Sequence, residues 1–171
     1  MPSVLAAPPT DRMLQARRGT AYFSRILGEL SDDELTGERE AAIVARVALH
    51  ARASAETLEA LREGWPYSPH ATPFDDESVR FTSTLNAHAL RNLHAHAVVH
   101  LNVEWRDLPD TMWDASVTLW DGRTSTPASL VEDRRRLVWT AAISLDPLAR
   151  ISAVPLDLRT DDDRLPVTST P

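Results

Sequence analysis

The sequence predicts an all-α protein: four helices packed as a bundle, with a short β-hairpin between the third and fourth. Two kinds of signal carry that prediction. Apolar residues recur every third or fourth position in four long stretches, the spacing of one buried helix face, and Gly- or Pro-bearing breaks separate the stretches. Asp121-Gly122, set between short alternating segments, is the turn of a hairpin. A chain of 171 residues is long enough to bury one sizeable core. The bundle is expected over residues 10–154. A flexible Pro- and Ala-rich segment, 1–9, precedes it, and an Asp-, Thr- and Pro-rich tail, 155–171, expected to be disordered, follows.

In the first helix, 10–30, Thr10 is the expected N-cap, and Met13, Ala16, Thr20, Phe23, Leu27 and Leu30 form the inner stripe. Ser31-Asp-Asp-Glu-Leu35 reads as a cap plus a short helical turn, after which Thr36-Gly37 breaks the chain. The second helix, 38–62, points Val44, Val47, Ala51, Leu58 and Leu61 inward. Arg46 and His50, four apart, lie one above the other at the edge of that stripe. Residues 64–73 hold three prolines and read as a loop. Thr72 then caps, Pro73 takes the first helical position, and one long third helix is expected over 74–106. The hairpin, 116–126, is marginal alone and must pack on the bundle. The fourth helix, 127–145, opens at Thr126-Pro127 and closes at Asp146-Pro147, with Leu130, Arg134, Leu137, Val138, Ala141 and Leu145 inward.

Composition removes several kinds of chemistry. Cysteine is absent, which excludes disulfides, thiolate metal sites and a cysteine nucleophile. Lysine is absent as well, which excludes a Schiff base. A net charge of −7 argues against a nucleic-acid partner. No apolar run is long enough to span a membrane, and the N-terminus lacks the features of a signal peptide, so a cytoplasmic protein is expected.

Four of the six histidines fall between Asn86 and Arg106 on the third helix. Counting from Leu85, the inward stripe is Leu85, Ala89, Asn92, His96, Val99 and Val103. Two of these are polar, and a buried polar group needs a partner. Asn92 with His96 is therefore either an acid–base pair lining a cavity or a network that fixes helix register. His88, one turn earlier, extends the same patch. His96 and His100, four apart, have the spacing of a metal pair, with His50 the reachable third ligand. Arg134, inward on the fourth helix, is expected to meet Glu40, Glu104 or a substrate anion. His94, pointing away from His96, and His70, in the loop, receive no role. Trp105, Trp113 and Trp120 are expected to cover one mouth of the bundle.

Three segments resemble a known family. They are Arg17 to Leu35, then Val44-Ala-Arg-Val-Ala-Leu-His-Ala-Arg-Ala53, and then Leu108 to Trp113 with the Asp121-Gly-Arg hairpin and Arg136-Leu-Val-Trp-Thr-Ala-Ala-Ile-Ser-Leu145. In order and spacing they resemble the DinB-like superfamily and, within it, the mycothiol-dependent maleylpyruvate isomerase family, across most of residues 15–146. The resemblance implies a four-helix bundle carrying a divalent metal, held by a His on the second helix and a Glu-x-x-x-His pair on the fourth. Those positions fall on Arg46, Leu137 and Ala141, and a following family Asp falls on Ser144. Arg stays protonated, and Leu and Ala have no ligand atoms. A one-turn shift of register would bring His50 to the helix-two position. The fourth helix offers no such rescue, having no His from Leu130 to Leu145 and only Glu132 and Asp133 as acids. The family's further, C-terminal domain has no counterpart in this sequence.

These readings together lead to a metal-independent, DinB-like enzyme that isomerises or cyclises a small organic metabolite, in a setting such as actinobacterial secondary metabolism. His96, His50 and Arg46 are its expected catalytic residues. Asn92, His100, Arg134 and His88 are its expected substrate-binding residues. No metal or other cofactor is expected, and a homodimer joined through a helix face is the expected assembly. The alternatives are a non-catalytic binding or interaction protein and a metalloprotein using His50, His96 and His100.

Overall fold

The computed structural model describes residues 7–65, 74–146, 148 and 151–159. Four long helices make the bundle: α1 (Thr10–Glu29), α3 (Glu38–Glu63), α5 (Ala87–Asp107) and α6 (Pro127–Leu145). Two short ones, α2 (Asp32–Leu35) and α4 (Asp76–Thr82), lie in the connections. α1 lies along α6, α3 lies along α5, and α3 also borders α6. The bundle therefore has a seam between α3 and α6 and another between α1 and α5.

Local chemistry sets the element ends. Ser31 and Glu34 form a reciprocal capping box that starts α2. Asp75, Asn86 and Thr126 each accept a backbone N–H at the start of α4, α5 and α6. Thr10 does not cap α1. It is the first helical residue, and its hydroxyl donates to the carbonyl of Pro8 at 3.1 Å. The expected cap at Thr72 and Pro73 lies outside the described residues. The long third helix of the sequence reading is two helices, α4 and α5. The chain turns at residues 83–86, where Ser83 and Thr84 hydroxyls donate to the carbonyls of Arg80 and Phe81, and Asn86 then caps the new helix.

Val117–Thr118 and Thr124–Ser125 form the hairpin strands β1 and β2, antiparallel with Val117 opposite Ser125. Gly122 sits in the turn at φ 82°, a conformation glycine adopts without penalty. Val117 and Leu119 bury into the bundle and anchor the ribbon. α1 and α6 approach closely at Gly19, where a Cβ would stand 2.6 Å from Val138 Cγ2 and 2.9 Å from Trp139 Nε1. Beyond α6, 3-10 turns at Ile151–Ala153 and Leu156–Leu158 bring Asp157 to Arg135, with an O–N distance of 2.7 Å.

The apolar core is divided in two. One cluster gathers Phe23, Leu27, Val44, Leu90, Val138 and their neighbours. The other gathers Met13, Leu58, Leu101, Trp105, Trp113 and Leu130. Along each long helix the change from one cluster to the other falls at mid-length, and His50 of α3, His94 of α5 and Arg134 of α6 sit at that boundary.

Candidate functional site

His50, His94 and Arg134 are 4%, 3% and 1% exposed, so a charged and titratable layer crosses the middle of the bundle. Charged side chains are rarely this buried unless paired. Arg134 Nη1 donates to the carbonyl of Val47 on α3 at 2.6 Å, while Nε and Nη2 have no hydrogen-bond partner among the described residues. Its neighbour Arg135, equally buried, is saturated: it contacts Glu132, Asp157 and Gln15. The protein partners expected for Arg134 are committed elsewhere, Glu40 to Arg39 and Glu104 to Arg62. Burial pushes the Arg134 guanidinium down to about 9, still charged at neutral pH.

Burial first, and the charge of Arg134 second, push both His50 and His94 down to about 3, so both imidazoles are neutral in the folded protein near pH 7. His94 Nε2 lies 2.9 Å from the hydroxyl of Ser24 on α1, and its ring packs against Phe23 with centroids 5.1 Å apart. His94 Nδ1 has no partner among the described residues. His50 is enclosed by the rings of Phe74 and Trp120 and by Ser54.

A cavity of about 200 Å³ opens in the α1–α5 seam, and Arg134 and Ser24 are in its lining, with Thr20, Leu101 and Trp105. Arg17 and Asn102, hydrogen-bonded across the seam at 3.2 Å, complete its rim. A larger recess of about 470 Å³ lies at the α2 end of the bundle. There, Glu34 is held in its capping box, and Arg39 bonds Glu40 and the carbonyl of Ser144.

The sequence-predicted residues scatter around this layer. Arg134 and His50 are part of it. Arg46 is half-exposed, pairs with Asp76 at 2.8 Å and lies over the Phe74 ring. His88, Asn92 and His96 are exposed, with Asn92 bonded to His88 at 2.9 Å, so the expected inward stripe of the third helix is corrected. The buried face is Leu90, His94, Ala97, Leu101 and Trp105. Leu85, the first residue of that expected stripe, lies in the turn before the helix, two positions out of phase with the face that packs. His94, set aside in the sequence, is therefore the inward histidine. The run Leu90-His94-Ala97-Leu101-Trp105, with two Leu and a Trp at helical spacing, was the signal that could have found it.

The relocated metal site of His50, His96 and His100, the alternative to a metal-free protein, does not assemble. His50 is buried among aromatic rings and His96 faces solvent. His100 instead meets Glu59 at 3.3 Å and Glu104 at 3.8 Å. These three are the one His/Asp/Glu group among the described residues with metal-compatible spacing, and Arg62 already grips the Glu104 carboxylate at 3.0 and 3.2 Å.

Arg46, Leu137 and Ala141, the positions aligned with the family's metal ligands, do converge. Together with Ala42, Ile43 and Val47 they line a recess of about 200 Å³ in the α3–α6 seam. Their chemistry does not fit a divalent metal: one is a permanent cation and two are hydrocarbon.

No family model and no curated protein matches the sequence. Two solved structures do: "Crystal structure of the mycothiol-dependent maleylpyruvate isomerase", at 32% identity with a TM-score of 0.73, and a His-to-Ala mutant of the same protein, at 31% identity with a TM-score of 0.75. In both, the match covers 87% of this chain and 65% of the other. The chain has a DinB-like helical-bundle fold similar to that of these maleylpyruvate isomerase structures and spans 65% of their solved length.

Proposed function

We propose that this chain is a metal-independent enzyme that isomerises or cyclises a small organic metabolite by acid–base chemistry in the α1–α5 cavity. The observation that carries this reading is the Ser24–His94 pair, 2.9 Å apart, with Ser24 in the lining of the same cavity as the buried Arg134. A neutral imidazole can accept the Ser24 proton at Nε2 or return one through it, so Ser24 relays between substrate and base. Arg134 is placed to stabilise negative charge that develops on a substrate oxygen in a site shielded from water. Its charge also weakens His94 as a base, and an anionic substrate offsets that charge, so the base strengthens when substrate is bound. The size of the cavity, below the roughly 300–1,000 Å³ of ordinary ligand sites, suits a small metabolite. The isomerase activity named for the solved relatives supports the reaction class.

The test is proton exchange. In D2O, NMR should record deuterium entering the carbon next to the carbonyl of small 2-oxo acids in the presence of the full chain. Ser24→Ala and His94→Gln should each slow exchange at least about 100-fold, the scale of lost acid–base catalysis, while a chelator should leave it unchanged. Exchange that needs an added metal, or that survives both substitutions, would overturn the reading. A second reading, a binding or interaction protein without turnover, is favoured by Leu137 and Ala141, which replace reactive side chains with hydrocarbon in the α3–α6 recess. Ligand binding without exchange would select it.

A further inference from the structure

We infer that the α1–α5 cavity is a carboxylate-binding site in which Arg134 grips the ligand with its Nε–Nη2 edge. This deepens the proposed function by naming the substrate class for the same cavity. Four buried side-chain atoms lack a hydrogen-bond partner among the described residues: Arg134 Nε, Arg134 Nη2, Trp105 Nε1 and His94 Nδ1. All belong to the cavity lining or to the histidine behind it. Three of the four are N–H donors and can only be satisfied by acceptors. An unmet buried donor is costly, so a cluster of them marks an acceptor to come.

The identity of the free atoms is informative. Nε and Nη2 are the two nitrogens of one edge of the guanidinium, whose parallel N–H bonds match the two oxygens of a carboxylate. Among the described residues the same edge grips the chain's own carboxylates at Arg62 on Glu104, Arg106 on Asp107 and Arg135 on Glu132. In Arg134 the edge has no carboxylate, and Nη1 is tied back to Val47. No Asp or Glu is in the cavity lining, which carries two arginines, Arg17 and Arg134, in a chain of net charge −7. Arg17 at the rim draws anions in, and parting its hydrogen bond to Asn102 opens the way to Arg134. Trp105 Nε1 offers a further donor, which favours a carboxylate bearing a second acceptor oxygen.

The experiment is titration of the full chain with pyruvate, maleate, pyruvamide and inorganic phosphate, followed by calorimetry and by NMR of the Trp105 indole N–H. Pyruvate or maleate should bind and move that signal, pyruvamide should bind at least tenfold more weakly, and Arg134→Met should lower carboxylate affinity at least 100-fold. Arg134→Lys, which keeps a charge but not the paired N–H edge, should lose at least tenfold. Carboxylate affinity unchanged in Arg134→Met, equal binding of pyruvamide, tighter binding of phosphate than of either carboxylate, or no binding of either carboxylate at 10-millimolar order would each overturn the inference. Binding that depends on Arg134 without deuterium exchange leaves this site standing and removes the catalytic proposal. Exchange indifferent to Arg134 does the reverse.

Discussion

The two seams of the bundle have opposite characters. The α3–α6 seam holds the positions that the sequence resemblance aligns with the family's metal ligands, and there Arg46, Leu137 and Ala141 leave a mainly hydrocarbon recess. The α1–α5 seam is bridged by polar side chains, Ser24 to His94 and Arg17 to Asn102, above an arginine with two unmet donors. Burying Arg134 without a counter-charge costs stability that hydrophobic packing elsewhere must offset. A cost of that kind, kept at a cavity, is the observation on which the proposed binding site rests. Likeness to an enzyme of known structure therefore indicates the scaffold, while the unsatisfied chemistry indicates which seam to test.

The largest expected effect that would sharpen this contrast comes from acid. His50 and His94 have folded values lowered to about 3, against about 6.5 for an unfolded histidine. The unfolded chain then binds more protons between these limits, so the stability these residues contribute is complete above about pH 6.5 and is lost as pH falls toward 3. Each histidine should contribute a slope of about 1.4 kcal/mol per pH unit in that window. Urea unfolding from pH 7 to 4 in the wild type and in His94→Gln checks it. A slope that the substitution leaves unaltered would mean that His94 is not held neutral.

Arg134→Met ranks next. If the charge exists for a ligand, its replacement by a hydrocarbon of similar length should be neutral or stabilise the unliganded bundle, by about 1–4 kcal/mol. If Arg134 instead holds the bundle together, the same change should destabilise it, and the asymmetry between the seams disappears. Denaturant midpoints at constant m-value decide between the two.

The seams can also be compared by rewriting one of them. Arg46→His, Leu137→Glu and Ala141→His together should restore a three-ligand set in the α3–α6 recess, because these positions already converge. Zinc at 100 times its dissociation constant would then stabilise the triple variant by about 2.7 kcal/mol. Thermal unfolding with and without zinc measures this, and no shift would show that the alignment of those positions is geometrically wrong.

How much of this was legible in the sequence varies from helix to helix. On α6, Leu130, Arg134, Val138, Ala141 and Leu145 were read as inward and are buried, because large aliphatic residues there mark a single face. On α5 the face was misread. Its Ala residues lie on both sides, Val99 is 64% exposed, and the truly buried face carries His94 and Glu104, so hydropathy gives no clear phase. The break at residues 83–86 was missed because neither Gly nor Pro marks it. Hydroxyl groups bonded to the preceding turn and the Asn86 cap end one helix and begin the next. The Ser24–His94 pair was not legible, since a contact between positions 70 apart depends on how α1 and α5 pack.

The smallest expected effect falls on Arg46, which the sequence resemblance aligns with the family's helix-two ligand yet which stands in the quieter seam. Its ion pair with Asp76 has side chains 44% and 85% exposed, so water and salt screen it, and such pairs are worth at most about 1 kcal/mol. Its position over the Phe74 ring, at 5.7 Å, adds about 0.5–1 kcal/mol at an exposed site. Phe74 also packs edge-on against His50 and Trp120, so loosening it would reach the buried layer from the α3 side. Arg46→Ala should therefore lower stability by no more than about 1–2 kcal/mol, lose part of that difference at high salt, and leave pyruvate or maleate affinity unchanged. Calorimetric titration of Arg46→Ala beside Arg134→Met measures both seams in one assay. A loss of carboxylate binding in Arg46→Ala comparable to that in Arg134→Met would move the anion site to the α3–α6 recess, where a fixed positive charge would then have replaced the metal.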